Sequence, residues 1–181
     1  MRGRACAGPV GGRLRAAPVA LLMAVACAAG PAGPADGPRP GSFLPDVDLL
    51  DAAGRPLRTA DLRGKVLVLN LFAFWCDTWK AQLPQLIELA AAQEALDFRL
   101  VSVSVDGRWR EELAATCGAR ALPFPVLADV GGRLSAALGV RRVPTVLLLD
   151  ARGRIAWVHE GYPGNLQLLR AIRAVLSRPV D

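Results

Sequence analysis

At 181 residues with 52% hydrophobic side chains, the chain suits one globular domain plus an appendage, and no apolar run approaches the ~20 residues of a mature membrane span. Its formal charge of +6 is unevenly spread. Four basic and no acidic residues precede Cys27, leaving eighteen basic against sixteen acidic after it, a net of +2, so no nucleic-acid partner is expected.

The first 27 residues stand apart. Arg2, Arg4, Arg13 and Arg15 make a basic front, an apolar stretch runs from Pro18 to Ala26, and small residues follow. That order is the layout of a secretory signal peptide, expected over residues 1–27. A short buried helix is the plainer alternative, and the basic front argues against it. Cys27 follows Ala24-Val25-Ala26, which resembles a bacterial lipoprotein processing site and makes Cys27 a lipidation candidate, although leucine is more usual where Ala24 stands. Lipidation, cleavage to a soluble form and a retained anchor stay open. Each leaves the domain extracytoplasmic, in the periplasm or membrane-anchored and facing it. Residues 28–42 are almost entirely Ala, Gly and Pro, a composition that buries too little apolar surface to fold and reads as an extended tether. The folded domain is placed at residues 43–181.

Within it, Val47–Leu50 and Pro56–Arg58 are expected to pair as a short hairpin turned at Ala53-Gly54. Val66–Phe72 is a continuous apolar run, as in a strand buried on both faces. A helix is predicted from Asp77 to Gln93, with Leu83, Leu86, Ile87 and Ala90 inward at spacings of three and four and a bend at Pro84. Phe98–Val105 is the next strand. Arg110–Cys117 is a helix with Leu113 and Cys117 on its apolar face. Pro125–Leu127 is a short strand, and Leu134–Leu138 a short helix stopped by Gly139. Thr145–Leu149 and Ile155–His159 form an antiparallel pair turned at Asp150–Gly153, and Leu166–Leu176 closes the domain as an amphipathic helix. Strand–helix–strand–helix, then a hairpin and a helix, predicts an α/β domain with a central mixed sheet covered on both faces. Arg108, Arg110, Arg141, Arg142, Arg152 and Arg154 lie among acids and turns and read as solvated surface.

The run Gly64-Lys65-Val66 through Asn70 to Ala73-Phe74-Trp75-Cys76, followed by Lys80 and Leu83-Pro84, resembles the membrane-tethered extracytoplasmic thioredoxins of the TlpA/ResA type. Phe124–Asp129, Gly139–Thr145 and Leu149–Arg154 continue the match in order, so the resemblance covers Phe43 to Ser177. It implies a thioredoxin-like fold with an N-terminal hairpin, and thiol-disulfide oxidoreductase activity. It implies no cofactor or metal, and as partners protein or small-molecule thiols and disulfides. Cys76 takes the place of the reactive cysteine. A helix start and its dipole favour a thiolate there, the form that attacks disulfides, and a partly exposed thiol is expected. The plainer reading is a small buried hydrophobe. Val143-Pro144 takes the place of the family's cis-proline, which faces the reactive cysteine while its neighbours pair with substrate.

Two departures weaken the resemblance. Trp79 stands where the second cysteine of a Cys-x-x-Cys pair would be, and Gln82 stands where ResA-like proteins carry a buried acid. The expected chemistry therefore runs through one thiol, the alternative being a redox-inactive module that binds a partner polypeptide. Trp75 and Trp79 are expected to form an apolar platform, with Val143 and Pro144, for that partner or substrate. Cys117 is the candidate resolving thiol, with a core role as the plainer reading. Peroxidase chemistry would want Thr-x-x-Cys, placing a cysteine where Trp79 is. Lys80 could favour the thiolate or be solvated, and His159 reads as a surface strand residue.

Overall fold

The computed structural model describes residues 37–117 and 122–178, the Cys117 side chain excepted. The expected signal peptide, Cys27 and most of the expected tether lie outside the described residues. In chain order the domain contains β1 (Asp48–Leu50), β2 (Pro56–Arg58), a 3₁₀ turn (Thr59–Leu62), β3 (Val66–Phe72), α1 (Asp77–Ala91), α2 (Gln93–Leu96) and β4 (Phe98–Ser104). It continues with α3 (Trp109–Cys117), β5 (Val126–Ala128), α4 (Arg133–Leu138), β6 (Thr145–Leu149), β7 (Ile155–Glu160) and α5 (Asn165–Leu176). All expected elements form, with ends shifted by one or two residues. The predicted first helix stops at Ala91, because Ala92 leaves helical geometry (ψ −3°) before the short α2.

The strands form one mixed sheet in the order β2-β1-β5-β4-β3-β6-β7. β3, β4 and β5 run parallel, which requires crossovers of helical length between them; β6 and β7 add antiparallel on one side and β1 and β2 on the other. The alternation of β3 divides the core. Val66, Val68 and Phe72 point to one face with Trp79, Leu86 and Leu89 of α1 and Leu168, Ile172 and Val175 of α5. Leu67, Leu69 and Leu71 point to the other with Leu62, Leu134 and Leu138. Each such buried side chain stabilises the fold by about 1.5–3 kcal/mol, which is why a run apolar at every position but Asn70 sits in the centre of the sheet.

Two short connections need particular residues. Gly54 turns the β1–β2 hairpin at φ +81°, and Gly139 ends α4 at φ +69°, both in the left-handed region where a Cβ is disfavoured. Asp129, after β5, is 2% exposed and accepts from the Leu134 and Ser135 backbone N–H groups at 2.9 and 2.8 Å, fixing the start of α4.

Candidate active site

β3 ends at Phe72, and Ala73-Phe74-Trp75-Cys76 turns the chain into α1. Cys76 is the cap residue, with extended backbone (φ −83°, ψ 106°), its N–H bonded to the Ala73 carbonyl at 3.0 Å and its carbonyl accepting from Lys80 N–H at 3.2 Å. The loop is also held from β4. Asp106 accepts from Phe74 N–H at 2.6 Å and from the Ser104 hydroxyl at 3.1 Å, while Val105 N–H donates to the Phe72 carbonyl at 2.9 Å. Sequence patterns gave no sign of Asp106, because a lone acid after a strand is ordinarily a solvated turn residue.

Facing the thiol is the loop before β6. The Val143-Pro144 peptide is cis, as the resemblance implied, and the Cys76 thiol donates to the Val143 carbonyl at 3.7 Å. Thr145 Oγ1 donates to the Arg142 carbonyl at 2.7 Å and Gly161 N–H to the Pro144 carbonyl at 2.7 Å, so both ends of the bend are tied. Val143 is half-buried and Pro144 buried, so a chain docking here would meet Val143 and the backbone of the bend.

Two expectations need correction. Cys76 is a free thiol only 8% exposed, where a partly exposed one was expected, because the Val143 loop covers it. Trp79 is no surface platform. It is fully buried, stacked on Phe72 at 4.0 Å and 15° and edge-on to Phe74 at 5.3 Å and 77°. Three aromatic rings beneath the loop gain more from mutual contact than from solvent, by about 0.5–1.5 kcal/mol per pair beyond area burial. Trp79, Leu83, Leu86 and Ala90 form one stripe at spacings of four, three and four, a signal available in the sequence; Ile87, expected inward, is 41% exposed. Trp75 remains on the surface at 69% exposure.

The polar neighbours of the thiol are sparse. Lys80 lies 3.5 Å from Asp77, both solvated. Trp79 Nε1 and Gln82 Oε1 are buried without a hydrogen-bond partner. His159 is half-buried and stacks on Trp157 at 5.4 Å and 8°. The Cys117 side chain lies outside the described residues, so its distance from Cys76 is not on view. Among the described residues the arrangement is a free thiol at the start of α1, beneath the cis-proline bend.

Residues 40–158 match the AhpC/TSA family, and the chain belongs to that family. Its sequence supports the narrower TlpA/ResA-type likeness: it is 34% identical over 73 residues to the thiol-disulfide oxidoreductase ResA of Oceanobacillus iheyensis, a match covering 38% of each chain. The chain thus spans well under half the length of that curated relative. Among solved structures it is similar to a candidate thiol:disulfide interchange protein DsbE from Chlorobium tepidum, with a TM-score of 0.68, 25% identity, and 77% of this chain and 99% of that one covered. It is also similar to the exposed lipoprotein thioredoxin Etrx1 of Streptococcus pneumoniae, with a TM-score of 0.62, 26% identity, and 72% and 99% covered. The fold is thioredoxin-like.

Proposed function

We propose that the chain is an extracytoplasmic thiol-disulfide oxidoreductase that works through one thiol, Cys76. The observation that carries this reading is the placement of Cys76 Sγ at the start of α1, 3.7 Å from the carbonyl that precedes the cis-proline. The Cys76 thiolate attacks one sulfur of a substrate disulfide, and the other sulfur leaves with the electron pair as a thiolate. An external thiolate then attacks the mixed disulfide at the substrate sulfur, joins to it, and returns Cys76 as a thiolate. No second protein thiol is consumed. The Thr-x-x-Cys spacing of a peroxidase is missing at Asp77-Thr78, which favours disulfide over peroxide substrates. Export by residues 1–27, with Cys27 as the lipidation site and residues 28–42 as tether, is in keeping with the exposed lipoprotein among the similar structures.

The test uses the full chain with a glutathionylated peptide and reduced glutathione. Release of the peptide thiol is expected to depend on the chain and to be lost in Cys76→Ser. Release unchanged in that variant contradicts the reading.

A second reading is favoured by the 8% exposure of the thiol: a redox-inactive module that holds a partner polypeptide against exposed Trp75 and the Val143-Pro144 bend. In that case a polypeptide captured by the chain survives Cys76→Ser and is lost in Trp75→Ala. Trp79 is not a probe of that surface, being core.

A further inference from the structure

β3 is apolar at every position but Asn70, and Asn70 lies at the centre of the sheet, 0% exposed. Two residues from both Val68 and Phe72, its side chain shares their face of β3, the face covered by α1 and α5. The amide is poorly satisfied. Its Nδ2 donates to Ser102 Oγ at 3.4 Å, and its Oδ1 is buried without a partner. An amide oxygen left so is destabilising, and in folded proteins such groups are met by a protein donor or by ordered water.

Two more unpartnered atoms lie on the helix packed over it. Trp79 Nε1 and Gln82 Oε1, three residues apart and neighbours on the surface of α1, are both buried, and they do not bond each other although one is a donor and the other an acceptor. The packing brings them to the level of Asn70. Trp79 stacks on Phe72, and α1 runs back along β3, because it is the crossover between the parallel neighbours β3 and β4. From the Trp79–Phe72 stack, Gln82 is about 4.5 Å further along the helix and Asn70 about 7 Å back along the strand. Ser102, the register partner of Asn70 on β4, is fully buried and small, which leaves room beside Asn70 under the helix.

The four groups are complementary. Trp79 Nε1–H donates, and so does the Ser102 hydroxyl, whose proton has no acceptor among the described residues; Asn70 Oδ1 and Gln82 Oε1 accept. Two donors and two acceptors match the bonding capacity of one water molecule, and a buried water ordinarily makes about three such bonds.

We propose that a single water molecule is bound here between α1 and β3, accepting from Trp79 Nε1–H and donating to Asn70 Oδ1 and Gln82 Oε1, with Ser102 Oγ as its fourth neighbour. The site gives Asn70 and Gln82 a common role that the thiol chemistry does not use. It also gives the indole beneath the Cys76 loop a task that a phenyl ring could not perform, since only the indole supplies an N–H. It rests on the packing of α1 and not on the thiol reading.

The experiment is NMR of the isotope-labelled full chain. The Trp79 indole N–H signal, one of four from tryptophan, is assigned through its contacts to the Phe72 ring. In a rotating-frame Overhauser spectrum it is expected to show a cross-peak at the water frequency, opposite in sign to the diagonal, which marks a water held beside it and not exchange of its proton. The cross-peak is expected to persist in Ser102→Ala, which excludes relay through the hydroxyl. It is expected to be lost in Gln82→Met, which keeps the side-chain length and removes the acceptor. Unchanged Trp109 and Trp157 indole signals verify that both variants keep the fold. A parent chain with no such cross-peak overturns the site and needs no variant to do so. A cross-peak that survives Gln82→Met, or disappears in Ser102→Ala, overturns it as well.

Discussion

Trp79 stands where the TlpA/ResA resemblance implies a second cysteine. Its indole turns inward, stacks on Phe72 and fills the space beneath the loop that carries Cys76. A cysteine at this position would empty that space and supply a second thiol, so Trp79→Cys reads the packing and the chemistry separately. Trp79→Cys is expected to lower stability by about 3–5 kcal/mol, the range for emptying a large aromatic site, read from denaturant midpoints. It is also expected to allow an intramolecular disulfide with Cys76, seen as the loss of two hydrogens in the intact mass under oxidation. A variant of parental stability, or one that never oxidises internally, would show that the space under the loop is not shaped as described.

At the scale of elements, the site depends on two contacts that cross between secondary structures. Asp106 ties the β4 end to the loop through Phe74 N–H at 2.6 Å. Asp106→Ala removes that acceptor and is expected to cost about 1–3 kcal/mol and, by loosening the loop that carries a thiol only 8% exposed, to speed alkylation of Cys76. Asp106→Asn keeps an acceptor oxygen and should restore most of both; failure of Asn to rescue would point to the charge and not the geometry. The second contact joins α5 to α1: Tyr162 hydroxyl bonds Asn165, whose Nδ2 donates to the Gln85 carbonyl at 3.0 Å and to Glu88 at 3.3 Å. Burial first, and the Glu88 charge second, push the Tyr162 phenol up from 10.0 to about 12. The folded state then keeps the proton longer than the unfolded chain, so this contribution is whole below pH 10 and is lost as pH rises toward about 12. Denaturation midpoints measured across that window should fall in the parent, and less steeply in Tyr162→Phe.

The same contacts mark the limit of what a sequence discloses. β3 was legible because a seven-residue stretch with six apolar residues, broken only by Asn70, admits few environments other than the centre of a sheet. The Cys76 and Pro144 positions were legible because ordered motif blocks surround them, and the structure brings the two together. Trp79 was misread because a tryptophan beside a reactive cysteine suggests a surface, although its spacing to Leu83, Leu86 and Ala90 signals the core. Asp106 and the cover over Cys76 depend on β4 and the β6 loop meeting the β3 end, a juxtaposition with no local signature. Arg152 and Arg154 read as scattered surface for the same reason: the β6–β7 turn and the end of α5, which carries Arg178 just beyond it, are distant in the chain and adjacent only after folding.

Over the whole molecule, the sheet separates two poles. The thiol and the cis-proline bend lie at the end of β3, while the chain entry lies at its start. The proposed chemistry needs one thiol, Cys76, to form and release a bond to sulfur. Its most direct test is the intact mass of the reduced full chain after brief exposure to oxidised glutathione and then to excess reduced glutathione. The account predicts a single glutathione adduct, mapped to Cys76 and removed in the second step. A Cys76 that takes up no adduct, or one that excess thiol cannot release, would contradict it.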